Sequence, residues 1–342
     1  MRVGVVGATG LVGTEMLRVL EERAFPVTEL RVYASPRSEG RRLEFADREV
    51  TCEVLVDGCF DGLEFVFVDV DDPLSLEWAP RAAAAGATVI DKSAAFRMNP
   101  DVPLVVAEIN PDDLRDIPKG IVSCPNCTTM VLVSGLAPLH RAAGIERMVV
   151  STYQSVSGAG LAGVHELAGQ WTKGAGREDV LRRAGAISGA IEPGEIWPKP
   201  IAGNVIPLAG SLDASGTTSE ERKLRDESRK ILHAPDLRVS ATCVRVPVYV
   251  GHAMAANVQF QRPLSRDEAA AILRNAPGVS LVDGVDGAPT PLESAGIDPV
   301  LVGRLREDRS QANTLDLWIT GDNLRKGAAL NAVQLAELLT AG

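Results

Sequence analysis

The sequence predicts an α/β fold in which a doubly wound parallel sheet is followed by a second domain with a mixed, largely antiparallel sheet. Two patterns predict this. Short apolar strands alternate with helical segments through the first 126 residues or so, and longer segments of alternating polarity dominate the second half. Strands that are apolar throughout are typical of parallel sheets covered on both faces, whereas alternating strands have one wet face. A chain of 342 residues also suits two domains better than one.

In the first half, each predicted strand is apolar in its middle. A helix is expected through Met16–Leu20, after the first strand, and an alanine-rich helix is expected near Leu76–Ala85. The predicted strands are Arg2–Val6, Leu30–Ala34, Glu64–Val68, Ala87–Ile90 and Leu104–Val106. Their alternation with helices predicts the doubly wound sheet.

In the second half, helix Ser219–Leu232 opens with the residues Thr217-Thr218-Ser219-Glu220, a pattern typical of a capped start. The last helical segment, Leu324–Leu339, is expected to return and pack on the first domain. The other predicted elements are helices at Val131–His140 and Val164–Gln170, a strand at Met148–Gln154, and long antiparallel strands at Val239–Phe260 and Leu301–Ile319. We therefore predict a first domain over residues 1–126, completed by 323–342, and a second domain over 127–322.

The composition disfavours several classes of partner. A formal net charge of −10 argues against nucleic acid or an anionic membrane surface as the main partner. We expect neither a signal peptide nor a membrane-spanning segment, because no apolar run is long enough. Five cysteines, an odd and small number, fit a reducing compartment better than a disulfide framework. The expected protein is cytoplasmic and acts on a small molecule.

The segment Ser123–Thr129, which reads Ser-Cys-Pro-Asn-Cys-Thr-Thr, places Cys127 where a buried strand gives way to a helix rich in small residues. A helix N-terminus lowers a thiol pKa and offers free N–H groups to a developing oxyanion. Cys127 is therefore predicted to be a nucleophile that forms a thioester, although a small buried apolar role is the alternative. Cys124 and Cys127 also have redox or zinc spacing, but the four histidines form no ligand cluster, so no metal is expected.

The glycines Gly7, Gly10 and Gly13 lie between the first strand and the first helix. Such glycines permit a tight turn and a close approach of the backbone to pyrophosphate, which indicates dinucleotide binding, although glycine turns also occur for packing alone. No carboxylate ends the second strand, and Arg37 follows it between serines. A cation at this position favours NADP over NAD, unless the arginine is only part of a solvated turn.

Five polar side chains complete the candidate site. Histidine suits proton transfer near neutral pH, and His252 is the best placed because a glycine precedes it at a strand end. Arg245 puts a charge into the preceding strand and must find an anion or a structural salt bridge. Arg97 lies just past the fourth strand, where open α/β sheets bind ligands. Glu220 and Lys223, one helical turn apart, either face the same ligand or pair with each other on a solvated face.

Taken together, these segments closely resemble the aspartate-β-semialdehyde dehydrogenase family, and the likeness runs through nearly the whole chain. Any one segment could arise by chance, but their order and spacing are highly specific. The matching stretches are Val6–Gly10, Pro125–Thr129, Ser151–Gln154, Ser157–Gly160, Cys243–Pro247, Gly251-His252 and Gly321–Ala329.

The resemblance implies a Rossmann-like first domain and reductive dephosphorylation of L-aspartyl-4-phosphate by NADPH. The products would be L-aspartate 4-semialdehyde and phosphate, on the route to lysine, threonine and methionine. It further implies a homodimer, with the second sheet as a contact surface.

The resemblance also implies roles for individual residues. Cys127 would form the thioester, His252 would move protons, and Gln154 would position the substrate. Arg245 would hold the substrate carboxylate in a bidentate fork. The remaining substrate-binding residues would be Glu220 for the ammonium group, Arg97 and Lys223 for the phosphate, and Asn126. The cofactor contacts would be Gly7, Thr9, Gly10, Leu11, Val12, Gly13, Ser35, Arg37, Ser38, Ser157, Gly158 and Asn323.

The sequence departs from the family pattern beside the predicted cofactor site. Asp69 and Asp71 stand where the family usually has small uncharged residues, and a carboxylate there would repel the cofactor phosphates unless paired. Lys92 and Cys124 each replace a usual asparagine, and Lys92 could pair with Asp69. Two alternatives therefore stay open: a paralogue that reduces another acyl phosphate, such as N-acetyl-γ-glutamyl phosphate, and a regulatory relative with impaired cofactor binding.

Overall fold

Seven strands form the first sheet, and helices cover both of its faces. The structure, a computed structural model, describes residues 1–176, 191–284 and 287–341. Six of the strands run parallel, and only the edge strand β3 is antiparallel to its neighbour. In spatial order the strands are β3 (Arg42–Phe45), β4 (Arg48–Glu53), β2 (Glu29–Tyr33), β1 (Arg2–Val6), β5 (Phe65–Val68), β6 (Thr88–Asp91) and β7 (Ile121–Ser123).

Helices α1 (Leu11–Glu22) and α8 (Leu330–Ala341) share one hydrophobic core, and α2 (Asp72–Ala84) belongs to the core on the opposite face. This confirms the predicted doubly wound sheet. The strand order reverses between β1, whose neighbour is β2, and β5, so a crevice opens at the carboxyl ends of these strands. Short helical turns lie at Pro36–Ser38, Pro111–Arg115, Val156–Ala159 and, with π geometry, Arg325–Ala329.

The predicted strand Leu104–Val106 is wrong. The segment is buried but makes only an isolated bridge, between Leu104 and Ser123 of β7. Asn110 takes the place of a neighbouring strand, because its side chain accepts from the Val106 N–H at 2.9 Å and donates to the Leu104 carbonyl at 2.9 Å. The β3–β4 hairpin, whose residues are half charged, was not predicted.

The second sheet has six strands and is mixed, as predicted. One face packs against α3 (Cys127–Ala143), α5 (Ser219–Ile231) and α6 (Arg266–Arg274), which supply the largest core. The other face exposes an apolar groove that includes Val149, Ala255 and Trp318. In spatial order the strands are β11 (Val279–Leu281), β12 (Val300–Glu307), β13 (Thr314–Gly321), β10 (His252–Phe260), β8 (Ile145–Gln154) and β9 (Arg238–Arg245). The remaining helices are α4 (Gly160–Gly174) and α7 (Pro291–Ser294).

The prediction that Val239–Phe260 is antiparallel throughout is wrong. Its first part, β9, runs parallel to β8, and only β10 is antiparallel to its neighbours. Pro247 and Gly251, whose φ is +93°, lie in the loop that separates the two strands. The connection from β8 to β9 contains both α4 and α5, so these parallel strands form a crossover unit, and both end at the same edge of the sheet.

No helix in the described ranges is long and apolar enough to cross a membrane. Helix α3 shares its core with the second sheet, and α8 shares its core with α1. The predicted division of the chain at 126/127 and 322/323 stays a prediction.

Helix α5 begins with a capping box, which confirms the predicted capped start. The Thr218 hydroxyl accepts from the Glu221 N–H at 3.3 Å, and the Glu221 carboxylate accepts from the Thr218 N–H at 2.7 Å. The box fixes the first turn of the helix that carries Glu220 and Lys223.

Thr218→Ala should therefore lower the free energy of unfolding by about 1 kcal/mol, because one N–H at the start of α5 loses its acceptor. Denaturant unfolding measures the difference. Thr217→Ala is the matched control, since the Thr217 hydroxyl only accepts from Ser215. Equal losses in the two variants would contradict a capping role.

Candidate active site

A cavity of about 630 Å³ lies where the carboxyl ends of strands from both sheets converge. From the first sheet, Asp69 follows β5 and Lys92 follows β6. From the second sheet, Gln154 ends β8 and Arg245 ends β9, where the two residues pair in register. Cys127, the first residue of α3, lies between these two groups.

The position of Cys127 is set by its neighbour Asn126, the N-cap of α3. The Asn126 Oδ1 accepts from the N–H groups of Thr128 at 2.9 Å and Thr129 at 3.3 Å. The Cys127 Sγ then lies 3.3 Å from Nε2 of His252. The structure thus brings together the thiol and the imidazole that the sequence analysis singled out on separate segments.

His252 is fully buried, and burial, with Arg245 next, lowers its pKa to about 3. The ring is therefore neutral near pH 7. Its Nδ1 accepts from the Ser155 N–H at 3.1 Å, so the neutral ring carries its proton on Nε2, facing the sulfur. The pKa of the Cys127 thiol is raised, not lowered as the helix N-terminus predicts, because burial, followed by Glu220, raises it more than Lys92, Arg245 and Arg97 lower it.

Arg245 lines the cavity. Its Nη1 donates to the Ser155 carbonyl at 2.6 Å, and its buried Nε has no hydrogen-bond partner in the described structure. Gly158 packs against it closely, since a Cβ on Gly158 would lie 2.8 Å from Nη1. Burial lowers the pKa of Arg245, with Glu220 opposing. A buried guanidinium with an unsatisfied donor can bind a planar anion.

Glu220 is at the centre of a cluster on the other wall of the cavity. Its carboxylate accepts from Lys223 at 3.0 Å, from the Asn126 Nδ2 at 3.1 Å and from the Gln154 Nε2 at 3.2 Å. Burial raises the pKa of Glu220, but Lys223 and the other donors outweigh it, and the net shift is downward. Glu220 and Lys223 therefore pair with each other, which was one of the two predicted alternatives. Both residues also line the cavity.

Arg97 lines the cavity but is already held by the protein. Its Nη1 pairs with Glu227 at 3.0 Å, and its Nε and Nη2 donate to the carbonyls of Cys124 at 3.0 Å and Lys92 at 2.6 Å. Glu227 also accepts from the Asn126 N–H at 2.7 Å. Glu227 was not predicted as a site residue, although the spacing of Glu220 and Glu227 places both on one face of α5.

The turn after β1 fits a dinucleotide. Gly7 has a φ of +86°, and a Cβ there would lie 2.1 Å from the Asp69 carbonyl oxygen. A Cβ on Gly13 would lie 2.2 Å from the Gly7 carbonyl oxygen. No side chain caps the first N–H groups of α1, which begins after Gly10, so these donors are free for pyrophosphate. Thr9 and Leu11 belong to the same turn, and Val12 lines the cavity.

The other predicted cofactor residues occupy two places. Ser35, Arg37 and Ser38 form the turn after β2, and Arg37 is exposed without an ion-pair partner in the described part of the chain. Asn323 and Ser157 line the cavity with Gly158. The Asn323 Oδ1 accepts from the Gly251 N–H at 2.9 Å and the Ser155 hydroxyl at 3.0 Å, so it also holds the loop behind His252.

The departures from the family pattern lie on the cofactor side of the cavity. The Asp71 side chain caps α2 by accepting from the Leu74 N–H at 3.1 Å, so this carboxylate has a structural role. Lys92 and Asp69 do not form an ion pair within 4.0 Å, and both line the cavity. Cys124 is buried beneath the nucleophile segment, and its sulfur accepts from Asn331 at 3.7 Å. Cys124 and Cys127 are both free thiols.

Fold and site together define an oxidoreductase that binds a nicotinamide dinucleotide. Residues 2–117 match the family model described as semialdehyde dehydrogenase, NAD binding domain, and residues 136–326 match semialdehyde dehydrogenase, dimerisation domain. The aspartate-semialdehyde dehydrogenase of Streptomyces akiyoshiensis is 52% identical, covering 100% of this chain and 99% of the relative.

Similarity extends to solved structures. Aspartate semialdehyde dehydrogenase II of Vibrio cholerae, complexed with ASA, has a TM-score of 0.93 at 41% identity, over 99% of this chain and 98% of that one. The Aquifex aeolicus aspartate-semialdehyde dehydrogenase is 44% identical over 99% of this chain and 97% of the relative. The chain belongs to the aspartate-semialdehyde dehydrogenase family.

The Asp69 carboxyl should make the free energy of unfolding depend on pH. Burial raises its pKa to about 6, with Lys92 opposing and Asp91 reinforcing the rise. The folded protein therefore keeps a proton between about pH 4 and 6 that the unfolded chain releases, and this contribution to stability is lost as the pH rises through that window. Asp69→Asn should raise the free energy of unfolding at pH 7, by on the order of 1–3 kcal/mol, and have little effect at pH 4.

Urea unfolding at both pH values checks this, with Asp61→Asn on an exposed turn as the control. A difference between Asp69→Asn and the unsubstituted protein that is equal at the two pH values would show that Asp69 is not the responsible carboxyl.

Proposed function

We propose that this protein reduces L-aspartyl-4-phosphate with NADPH to L-aspartate 4-semialdehyde and phosphate, through a thioester on Cys127. The observation that carries the proposal is the Cys127 Sγ lying 3.3 Å from His252 Nε2 at the start of a helix, in a cavity that reaches the glycine turn. Membership of the family supports the same reaction.

The chemistry follows from the Cys127 sulfur. The thiol first releases its proton to solvent, and the thiolate then attacks the acyl carbon: a C–S bond forms and the bond between the acyl carbon and the phosphate oxygen breaks, so phosphate leaves with the electron pair. The Nε2–H of His252 donates to the sulfur before attack and lies beside the oxyanion afterwards. The bound cofactor supplies the hydride that reduces the thioester. The resulting oxyanion collapses to the aldehyde and expels the thiolate, which regains its proton from solvent, and Cys127 and His252 are left as they began.

The substrate's charged groups have matching partners. Arg245, which lines the cavity, would hold the α-carboxylate in a fork, and Glu220 would accept from the ammonium group. Gln154 and Asn126, which donate to Glu220, would orient that contact. A buried carboxylate favours a free ammonium over an N-acetyl group, which disfavours the N-acetyl-γ-glutamyl phosphate alternative.

The phosphate would be bound by Lys223 and Arg97. Lys223 is partly exposed at the cavity, and Arg97 keeps two N–H donors beyond the three it uses within the protein. Because phosphate leaves in the first step, a partly exposed lysine suits its release.

We further propose NADP as the preferred cofactor, because Arg37, in the turn that follows β2, is exposed and has no ion-pair partner within the described ranges. A homodimer is proposed through the open face of the second sheet, where Tyr153 and Trp318 pack with ring centroids 5.3 Å apart beside the apolar groove. The small number of cysteines, with Cys124 and Cys127 both free, supports a cytoplasmic location.

Cys127→Ala should abolish the phosphate-dependent oxidation of aspartate semialdehyde, because no other group can form the acyl intermediate. Absorbance of NADPH follows the reaction in this direction. Cys52→Ala, a buried cysteine in β4, is the matched control and should keep activity. Substantial turnover by Cys127→Ala would remove the thioester mechanism.

Arg37→Ala should raise the KM for NADPH by roughly 10-fold to 100-fold and leave the KM for NAD(H) nearly unchanged, since a charge-assisted bond to the 2′-phosphate is lost. Arg42→Ala, which breaks an exposed pair with Glu49, is the control. If both cofactors were affected equally, Arg37 would not be the residue that selects NADP.

A further inference from the structure

Lys92 is a buried ammonium group without a carboxylate partner. It follows β6 and is 8% exposed. Its Nζ donates to the carbonyl oxygens of Gly327 at 3.1 Å and Pro125 at 3.4 Å. Among the described residues, no carboxylate oxygen lies within 4.0 Å of it. Since an ammonium group has three donors, one N–H is left for the cavity that Lys92 lines.

Both carbonyl acceptors of Lys92 border the nucleophile. Pro125 lies two residues before Cys127 on the segment that leads into α3. Gly327 packs against Cys127, since a Cβ on Gly327 would lie 2.9 Å from the Cys127 Cβ. Lys92 is therefore held against the backbone on two sides of Cys127.

The other positive groups around the sulfur have partners or another task. Arg97 is paired with Glu227, and Lys223 is paired with Glu220. Arg245 is proposed to bind the substrate carboxylate, and the His252 ring is neutral. Lys92 and Arg245 are thus the cations near the sulfur that no ion pair of the described structure neutralises, and Lys92 is the one of the two without a proposed substrate contact.

We propose that Lys92 is the electrostatic partner of Cys127, which stabilises the thiolate and so sets the reactivity of the nucleophile. The inference deepens the proposed function, because it concerns the same sulfur.

Several charged groups surround Lys92 and Cys127. Around Cys127, burial and Glu220 raise the thiol pKa, and Lys92, Arg245 and Arg97 lower it. Asp91 directly precedes Lys92, and the pKa of Asp69 is lowered by Lys92 and raised by Asp91. Burial raises the pKa of the Cys124 thiol, and the charge of Lys92 opposes this rise.

The test is the rate at which iodoacetamide alkylates Cys127 between pH 6 and 10, with the modified residue identified by peptide mass spectrometry. The reagent is neutral, so its approach does not depend on local charge, and the reaction needs neither substrate nor cofactor. Lys92→Gln keeps donors for the two carbonyls but removes the charge. We expect its apparent Cys127 pKa to rise by about one unit and its rate at pH 7 to fall roughly tenfold.

Lys92→Arg should restore most of the rate, because it returns the positive charge. Lys92→Met serves as a second uncharged variant in case Lys92→Gln folds poorly, and Lys119→Met removes a surface lysine as the control. NADPH affinity is measured on the same proteins.

A pH profile unchanged in the uncharged variants would overturn the proposal, and so would a loss confined to NADPH affinity, which would make Lys92 a cofactor contact. A shifted profile that Lys92→Arg does not restore would also overturn it, since packing rather than charge would be responsible. The outcome is independent of the proposed reaction: if Cys127→Ala kept its turnover, the thioester mechanism would fail while the alkylation result still stood.

Discussion

The geometry of the cavity depends on Asn126 more than on any other residue. Its side-chain oxygen caps α3, its amide nitrogen reaches Glu220, and its backbone N–H donates to Glu227. The start of α3 is thereby fixed to α5, so the sulfur and the groups that would hold the substrate belong to one rigid arrangement. An active site assembled in this way does not have to organise itself when the ligand arrives, which saves part of the entropy of reaching a reactive geometry.

This arrangement separates two tasks that a cysteine–histidine pair often combines. In many such pairs an imidazolium both donates a proton and balances the thiolate charge. Here burial lowers the pKa of His252, and its Nδ1 accepts from the Ser155 N–H, so the ring brings no positive charge and its Nε2 proton faces the sulfur. The charge balance has to come from elsewhere. It comes from fixed cations in the cavity wall, although the chain as a whole carries a net charge of −10.

Most of the fold could be predicted because its strands and helices are defined by local patterns. The apolar strands of the first sheet and the capping residues around Thr218 needed no knowledge of the rest of the chain. The segment Leu104–Val106 has the same apolar pattern, but Asn110, a few residues further on, satisfies its backbone, and only the folded turn reveals that. The direction of β9 depends on the connection through α5, which strand periodicity does not report.

The candidate site shows the same limit. Cys127 and His252 could be selected from their own segments, because helix starts and glycine-flanked strand ends are local features. Ser155 could not, since it acts on His252 through its backbone N–H and any residue with that N–H would serve. Glu227 was within reach, because it shares a helix face with Glu220, but a charged helix face is usually solvated, and only packing shows that this one is buried.

The two charged departures beside the cofactor site are best understood together. A carboxylate enclosed near the glycine turn would be costly and would oppose the phosphates of a dinucleotide. An ammonium group buried against two carbonyls would also be costly without a nearby anion. Asp69 and Lys92 lie on adjacent strand ends, and the charge of Lys92 eases the ionisation of Asp69 although the two are not in contact. Each charge therefore lowers the free-energy cost of burying the other. The cavity contains a cation near the sulfur, and the charges of Asp69 and Lys92 sum to zero.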